Sequence, residues 1–182
     1  TERYKSEDIT EDQFNSNINL IWGTENGVAT KEMAAEYGYK YVTTYDEMMS
    51  LDEGSKSFAQ FTNDLWTLEQ SDKNNPTLSQ MTEKAIDLLD DGENGFFLMV
   101  EGSQIDFACH YNDSTYLVNE LADFNNTINL ALEFAKENQN TLVIVTADHE
   151  TGGLTIVDPD ERYTKTEFHF SNGSHSPLLV PI

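Results

Sequence analysis

Two short apolar runs, each followed at once by acidic residues and histidines, constrain the fold of this chain more than any other feature. The runs occupy residues 95–100 and 141–145. The polar residues after them are Glu101, Asp106 and His110 in the first case and Asp148 and His149 in the second. Short apolar runs predict buried strands, and open α/β sheets bind ligands beyond the carboxyl ends of their strands. The pattern therefore predicts a metal site at one edge of a sheet.

The spacing of these residues indicates how they could bind an ion. Asp106 and His110 are four residues apart, so a helical turn after the strand would place both side chains on one face. Asp148 and His149 are adjacent and diverge, so they could bind different ions or approach one ion from a bent loop. His175 precedes a further apolar run and could return from far along the chain. Carboxylates with imidazoles suit Zn²⁺, and the glutamate directly after the first run is better matched to Mg²⁺.

The order of predicted elements favours an α/β fold. Thr30 and a Thr77–Gln80 capping box mark helix starts, and Gly38 marks a helix end. Alternation of strand, helix and strand across residues 77–146 predicts parallel β–α–β units in a layered sheet. We expect one domain over residues 1–182, with residues 63–76 as a loop insert. Strands are predicted at 18–22 (ended by Gly23), 39–43, 57–61, 95–100, 141–146, 154–157 and 164–170, and helices at 31–37, 46–51, 77–89 and 116–137.

Three further residue patterns are interpreted as structural. Asp113 to Thr115 are predicted to cap the helix that follows, and His169, between two phenylalanines, is predicted to be a packed strand histidine. Cys109 is the single cysteine, so an intrachain disulfide is impossible, and we interpret it as a packing residue. An apolar stripe of the last predicted helix is interpreted as core: Leu117, Leu121, Phe124, Ile128, Leu132 and Ala135.

Composition excludes some functions. The formal charge is −23, from 10 basic and 33 acidic residues, and such a surface repels phosphate backbones, so nucleic-acid binding is not expected. No apolar run approaches the length of a membrane span. The sequence starts without methionine and ends in an apolar run at 177–182 that resembles an unfinished strand. We therefore expect it to be a piece of a longer protein, and a missing signal peptide does not argue against export.

The motifs around the two apolar runs resemble the alkaline phosphatase family, particularly its bacterial members. The resemblance rests on Glu101-Gly-Ser-Gln-Ile-Asp106 with His110, and on Asp148-His149-Glu-Thr-Gly-Gly. It is clear from Thr77 to Ile182 and weaker from Ile18. The resemblance implies the C-terminal portion of such an enzyme, with a three-layer α/β/α sandwich that is incomplete in this chain.

The resemblance also implies a function and a set of metal ligands. By position, Asp106, His110 and His175 match ligands of a first Zn²⁺, Asp148 and His149 match ligands of a second Zn²⁺, and Glu101 matches a ligand of one Mg²⁺. The family hydrolyses phosphate monoesters through a phosphoserine intermediate. Its nucleophilic serine and its phosphate-binding arginine have no counterpart in this chain, so we expect the chain to be inactive alone. A periplasmic or extracellular location and a possible homodimer are further implications.

Two alternatives remain open from the sequence. Other hydrolases of the same superfamily, such as phosphodiesterases, sulfatases and cofactor-independent phosphoglycerate mutases, share the Asp-x-x-x-His and Asp-His patterns. The Glu101-Gly102-Ser103 segment favours an alkaline phosphatase over all of them. The chain could also be a metal-binding or interaction module without catalysis.

Overall fold

The computed structural model describes residues 4–62, 74–90, 94–157 and 166–181. The chain divides into two compact units, Thr1–Val100 and Glu101–Ile182, and each is described by itself. Most of the predicted loop insert at 63–76 lies outside the described residues, as do both arginines, Arg3 and Arg162. The single-domain expectation stays a prediction.

The first unit is built on a parallel three-stranded sheet. Strand β3 lies between β1 and β2, pairs in parallel with both, and is buried along all five residues. The predicted strand at 57–61 is confirmed at the same residues. The sequence predicts that Gly23 ends β1, but Gly23 lies within that strand. The elements of this unit are α1 (Ser6–Asn15), β1 (Leu20–Thr24), α2 (Lys31–Glu36), β2 (Lys40–Val42), α3 (Tyr45–Met49), β3 (Ser57–Phe61) and α4 (Leu78–Leu89).

Side chains that alternate along β3 divide the core of this unit in two. Phe58 belongs to a cluster that includes Phe14 of α1, while Phe61 belongs to a second cluster that includes Met48 of α3 and Leu88 of α4. Because successive strand residues point to opposite faces, the two clusters lie on opposite faces of the sheet. Helices therefore cover both faces, which is the layered α/β architecture that the sequence predicts.

The predicted helix ends are confirmed in atomic detail. The Thr30 hydroxyl accepts a hydrogen bond from the amide of Met33. Gly38 has φ +79°, which lets the chain leave α2 through a left-handed turn. At α4 the Thr77 hydroxyl accepts from the amide of Gln80, and the Gln80 side chain accepts from the amide of Thr77, so the capping box is formed.

The described residues of the second unit form two helices and two short antiparallel ladders. Strand β4 pairs with β7, and β5 pairs with β6. Asp113 caps α6 by accepting hydrogen bonds from the amides of Thr115 and Tyr116, as predicted. The elements are α5 (Ser103–His110), α6 (Ser114–Glu137), β4 (Glu150–Thr151), β5 (Thr155–Val157), β6 (Glu167–His169) and β7 (His175–Ser176).

The two apolar runs that predicted buried strands are not strands in the described part of the chain. Residues 96–100 and 141–147 join no ladder, and neither does the apolar run after His175. Phe97 is 90% exposed and Leu142 is 81% exposed. The strand predictions at 95–100 and 141–146 are therefore wrong here, because an apolar sequence favours burial but a strand also needs a neighbour for its hydrogen bonds.

Two smaller predictions about buried side chains are also wrong. His169 lies in β6 but is exposed, with its Nε2 atom 3.6 Å from a carboxylate oxygen of Glu167. The stripe on α6 is only partly core, because Leu117 is buried but Leu121 and Leu132 are exposed. In neither case does the sequence pattern say whether another element lies against that face. Within the described residues, no helix is both long and apolar enough to cross a membrane.

Candidate metal centre

Three side chains from distant parts of the sequence converge in the second unit. One ligand atom from each of Asp106, His110 and His175 lies within 4.8 Å of the others. The His110 Nε2 atom is 3.3 Å from Asp106 Oδ2 and 3.1 Å from His175 Nε2, and His175 Nε2 is 3.4 Å from Asp106 Oδ1. We call this set the three-residue cluster. One carboxylate with two imidazoles is a donor set that suits Zn²⁺.

Local secondary structure brings the three residues together. Asp106 lies in the first turn of α5 and His110 in its last turn, and a spacing of four places them on the same face. His175 comes from β7, where it is paired with Thr151 of β4. The ladder between β4 and β7 thus brings His175 next to His110, although the two histidines are 65 residues apart in the sequence.

A backbone carbonyl fixes the tautomer of His110. The Nδ1 atom of His110 lies 2.9 Å from the carbonyl oxygen of Gly173. Since a carbonyl only accepts hydrogen bonds, this contact requires the proton on Nδ1, and in the neutral imidazole the lone pair is then on Nε2. Nε2 is the atom that faces Asp106 and His175. A carbonyl partner of this kind is typical of metal-binding histidines.

Thr151 connects the three-residue cluster to the second predicted ligand pair. Its hydroxyl donates a hydrogen bond to Asp106 Oδ1 and lies 3.2 Å from His149 Nδ1. Because the single hydroxyl proton goes to the carboxylate, the oxygen accepts from His149 Nδ1. The His149 ring also stacks on the His175 ring, with centroids 3.6 Å apart. Thr151 is 8% exposed, so its end of these bonds is buried.

The remaining predicted ligands lie at the margin of this arrangement. The His149 Nε2 atom is 3.3 Å from Asp148 Oδ2, and the Asp148 side chain is 88% exposed. Glu101 is exposed at the start of the second unit and is not part of the three-residue cluster. The structure thus brings Asp106, His110 and His175 together, places His149 against them, and leaves Asp148 and Glu101 outside.

The two glycines after Thr151 form a turn that would strain other residues. Gly152 has φ +84° and Gly153 has φ +57°. A Cβ atom on Gly152 would lie 3.0 Å from the Cys109 carbonyl oxygen, and one on Gly153 would lie 1.9 Å from the Ser171 hydroxyl oxygen. Glycine at 152 is therefore strongly favoured where the loop packs against α5, directly after Thr151.

Two groups near the site have shifted pKa values. A hydrogen bond from Ser176 lowers the pKa of the Glu150 carboxyl. Burial, with the nearby Asp106 charge, raises the pKa of the Cys109 thiol to about 11. A buried thiol with a raised pKa is a poor nucleophile, which agrees with the interpretation of Cys109 as a packing residue.

Sequence reasoning missed three groups that build the site: Glu150, Thr151 and the Gly173 carbonyl. Glu150 and Thr151 belong to a ladder of two residue pairs, and Gly173 comes shortly before its second strand, so the sequence carries no periodic signal for their contacts. The Gly152–Gly153 pair was the available signal, because it marks a turn directly after two candidate ligands.

The sequence model of the alkaline phosphatase family matches residues 7–177. Alkaline phosphatase 4 of Bacillus subtilis is 44% identical over 128 residues, a match that covers 70% of this chain and 27% of that protein. Alkaline phosphatase of Escherichia coli K12 is 51% identical over 87 residues, or 48% of this chain and 18% of that protein. The chain therefore spans only a part of the length of these relatives.

Solved structures give the same result. The alkaline phosphatase of the Antarctic bacterium TAB5 superposes with a TM-score of 0.75 at 32% identity, and the match covers 96% of this chain and 55% of that one. A mutant of the TAB5 enzyme, solved with Mg bound in its M3 site, superposes with a TM-score of 0.74 at 31% identity and the same coverage.

Proposed function

The chain belongs to the alkaline phosphatase family, and we propose that it forms the part of a metal-dependent phosphate monoester hydrolase that carries most of the metal ligands. The observation that carries this proposal is the convergence of Asp106, His110 and His175. Phosphate monoesters are the proposed substrates. The nucleophilic serine, which would form a phosphoserine intermediate, and the phosphate-binding arginine are proposed to come from outside these 182 residues.

The donor set of the three-residue cluster fits a catalytic zinc ion. Catalytic zinc sites use three protein ligands and keep a further position for water or substrate. We assign the first zinc to Asp106, His110 and His175. Asp148 and His149 are assigned to a second zinc, with further ligands from elsewhere, and Glu101 to a magnesium ion. Zinc bound at the paired sites would act as a Lewis acid on the attacking and leaving oxygens of an in-line displacement.

Hydrogen bonds within this chain orient the proposed zinc ligands. The Gly173 carbonyl holds the His110 proton on Nδ1, so Nε2 keeps its lone pair. The Thr151 hydroxyl donates to Asp106 Oδ1 and accepts from His149 Nδ1, so one side chain orients a ligand of each proposed zinc. Fixed ligands of this kind lower the cost of arranging the site when an ion binds.

Zinc binding to the purified chain tests the assignment. Equilibrium dialysis followed by elemental analysis should find about one tightly bound zinc per chain, because one ligand set is complete. His175→Ala should lose that zinc. His169→Ala is the matched control, because His169 is exposed and lies outside the cluster, and it should keep the zinc. Equal zinc content in the two variants would contradict the assignment.

Hydrolysis requires the longer gene product. That protein should hydrolyse a chromogenic phosphate monoester faster than a phosphodiester or a sulfate ester, and a preference for either of the latter would favour another hydrolase of the superfamily. The 182-residue chain alone should show no substantial turnover, since its serine nucleophile lies elsewhere. We further propose that the longer protein is periplasmic or extracellular and forms a homodimer.

A further inference from the structure

Glu150 follows the predicted ligand His149, yet the assignment above gives it no part in the metal centre. Both oxygens of its carboxylate accept hydrogen bonds. Oε1 accepts from the amide of Leu154 at 3.1 Å, across the Gly152–Gly153 turn, and Oε2 accepts from the hydroxyl of Ser176 in β7. Glu150 therefore ties the turn to both strands of the ladder.

The ladder that Glu150 crosses is very short. Strands β4 and β7 share two residue pairs, Glu150 with Ser176 and Thr151 with His175. A two-stranded ladder is marginally stable by itself. A slip of one residue would move every side chain to the opposite face. A side-chain hydrogen bond across so short a ladder therefore has a strong influence on its register.

That register decides where the imidazole of His175 lies. In the observed pairing, His175 Nε2 is 3.4 Å from Asp106 Oδ1 and 3.1 Å from His110 Nε2. Ser176 follows directly, and successive strand residues point to opposite faces. A bond to the Ser176 side chain thus holds the strand without occupying any atom that would bind an ion.

We propose that Glu150 is a positioning residue for His175, acting through Ser176, and that this contact sets the zinc affinity of the three-residue cluster. The expected effect on zinc affinity rests on the proposed function. Its geometric basis, the cross-strand contact, is independent of any ion. Loss of such outer contacts typically weakens metal binding by about 10- to 100-fold.

A set of variants separates this role from a simple effect of charge. Glu150→Ala removes the charge, the Ser176 contact and the bond from the Leu154 amide, whereas Ser176→Ala removes the Ser176 contact alone. Glu150→Gln removes the charge but keeps an oxygen that accepts from Ser176. Ser176→Thr keeps the hydroxyl and should bind zinc like the wild type. Glu133→Ala, on an exposed position of α6, is the control for the loss of one negative charge.

Zinc dissociation constants, measured by competition with a chromophoric chelator, give the first readout. We expect Glu150→Ala and Ser176→Ala each to bind zinc about 10- to 100-fold more weakly. The double variant should bind zinc no more weakly than Glu150→Ala alone, because without the carboxylate the Ser176 hydroxyl has no contact left to lose. Glu133→Ala should bind like wild type. Wild-type affinity in Ser176→Ala, or effects that multiply in the double variant, would overturn the proposal.

Amide hydrogen exchange of the chelator-treated chain gives a second readout that needs no zinc. Glu150→Ala and Ser176→Ala should speed exchange in β4 and β7, while Glu133→Ala should leave it unchanged. Unchanged exchange in the first two variants would overturn the proposal even if they bind zinc weakly. A wild-type chain that binds no zinc but shows the expected exchange would instead refute the proposed function and leave the positioning role supported.

Discussion

Removing the Thr151 hydroxyl should weaken zinc binding without disturbing the packing. Thr151→Val keeps the shape of a side chain that is 8% exposed and deletes the hydrogen bond to Asp106 Oδ1 and the contact with His149 Nδ1. A hydrogen bond to a charged group contributes about 1.5–3 kcal/mol. At about 1.4 kcal/mol for each factor of ten, full loss of that orientation raises the zinc dissociation constant roughly 10- to 140-fold.

Two further variants make this experiment decisive, with chelator competition as the assay. Thr151→Ser keeps the hydroxyl and should bind zinc nearly as tightly as wild type. Thr127→Val makes the same chemical change at another buried threonine, whose hydroxyl donates to the Asp123 carbonyl within α6, and it should leave zinc affinity unchanged. Wild-type affinity in Thr151→Val, or an equal loss in Thr127→Val, would refute the reasoning.

Three other predictions concern stability, measured by urea denaturation. Met48→Ala should cost about 2–5 kcal/mol, because Met48 is fully buried in the core, and Met49→Ala should change stability by less than about 0.5 kcal/mol, because Met49 is 45% exposed. Gly54 has φ +73° and open space around it, so Gly54→Ala should lower the free energy of unfolding by about 1–2 kcal/mol. Gly153→Ala should lower it by more, because the added Cβ would also lie 1.9 Å from a serine oxygen. Glu47→Gln should lower stability at neutral pH but not at acid pH. A hydrogen bond from the Thr43 backbone amide lowers the folded-state pKa of Glu47 below its ordinary 4.5. The carboxylate therefore contributes stability above pH 4.5, and that contribution is lost as the pH falls through the folded-state pKa.

The first unit shows what a sequence can predict well. The helix starts at Thr30 and Thr77 and the end at Gly38 depend on a few adjacent residues, and all three are confirmed. Strand β3 is confirmed at its predicted bounds, since it is apolar, short and followed by polar residues. Signals of this kind depend on neighbouring residues, so contacts with distant parts of the chain do not change them.

The candidate site shows where such prediction stops. The four-residue spacing of Asp106 and His110 predicted one shared face, and α5 provides it. The return of His175 was predicted only as a possibility, because it depends on a two-residue ladder that has no periodic pattern. The runs at 95–100 and 141–146 failed as strands for a related reason, since strand formation depends on a neighbour that composition does not specify.

Zinc K-edge X-ray absorption on the chain loaded with one equivalent of zinc is the most direct test of the central claim, which is that Asp106, His110 and His175 bind one ion together. The account predicts outer-shell scattering from two imidazoles, unchanged in His169→Ala and absent in His175→Ala, which should not hold zinc at this site. A zinc shell with no imidazole scattering, or one that His175→Ala leaves unchanged, would contradict it.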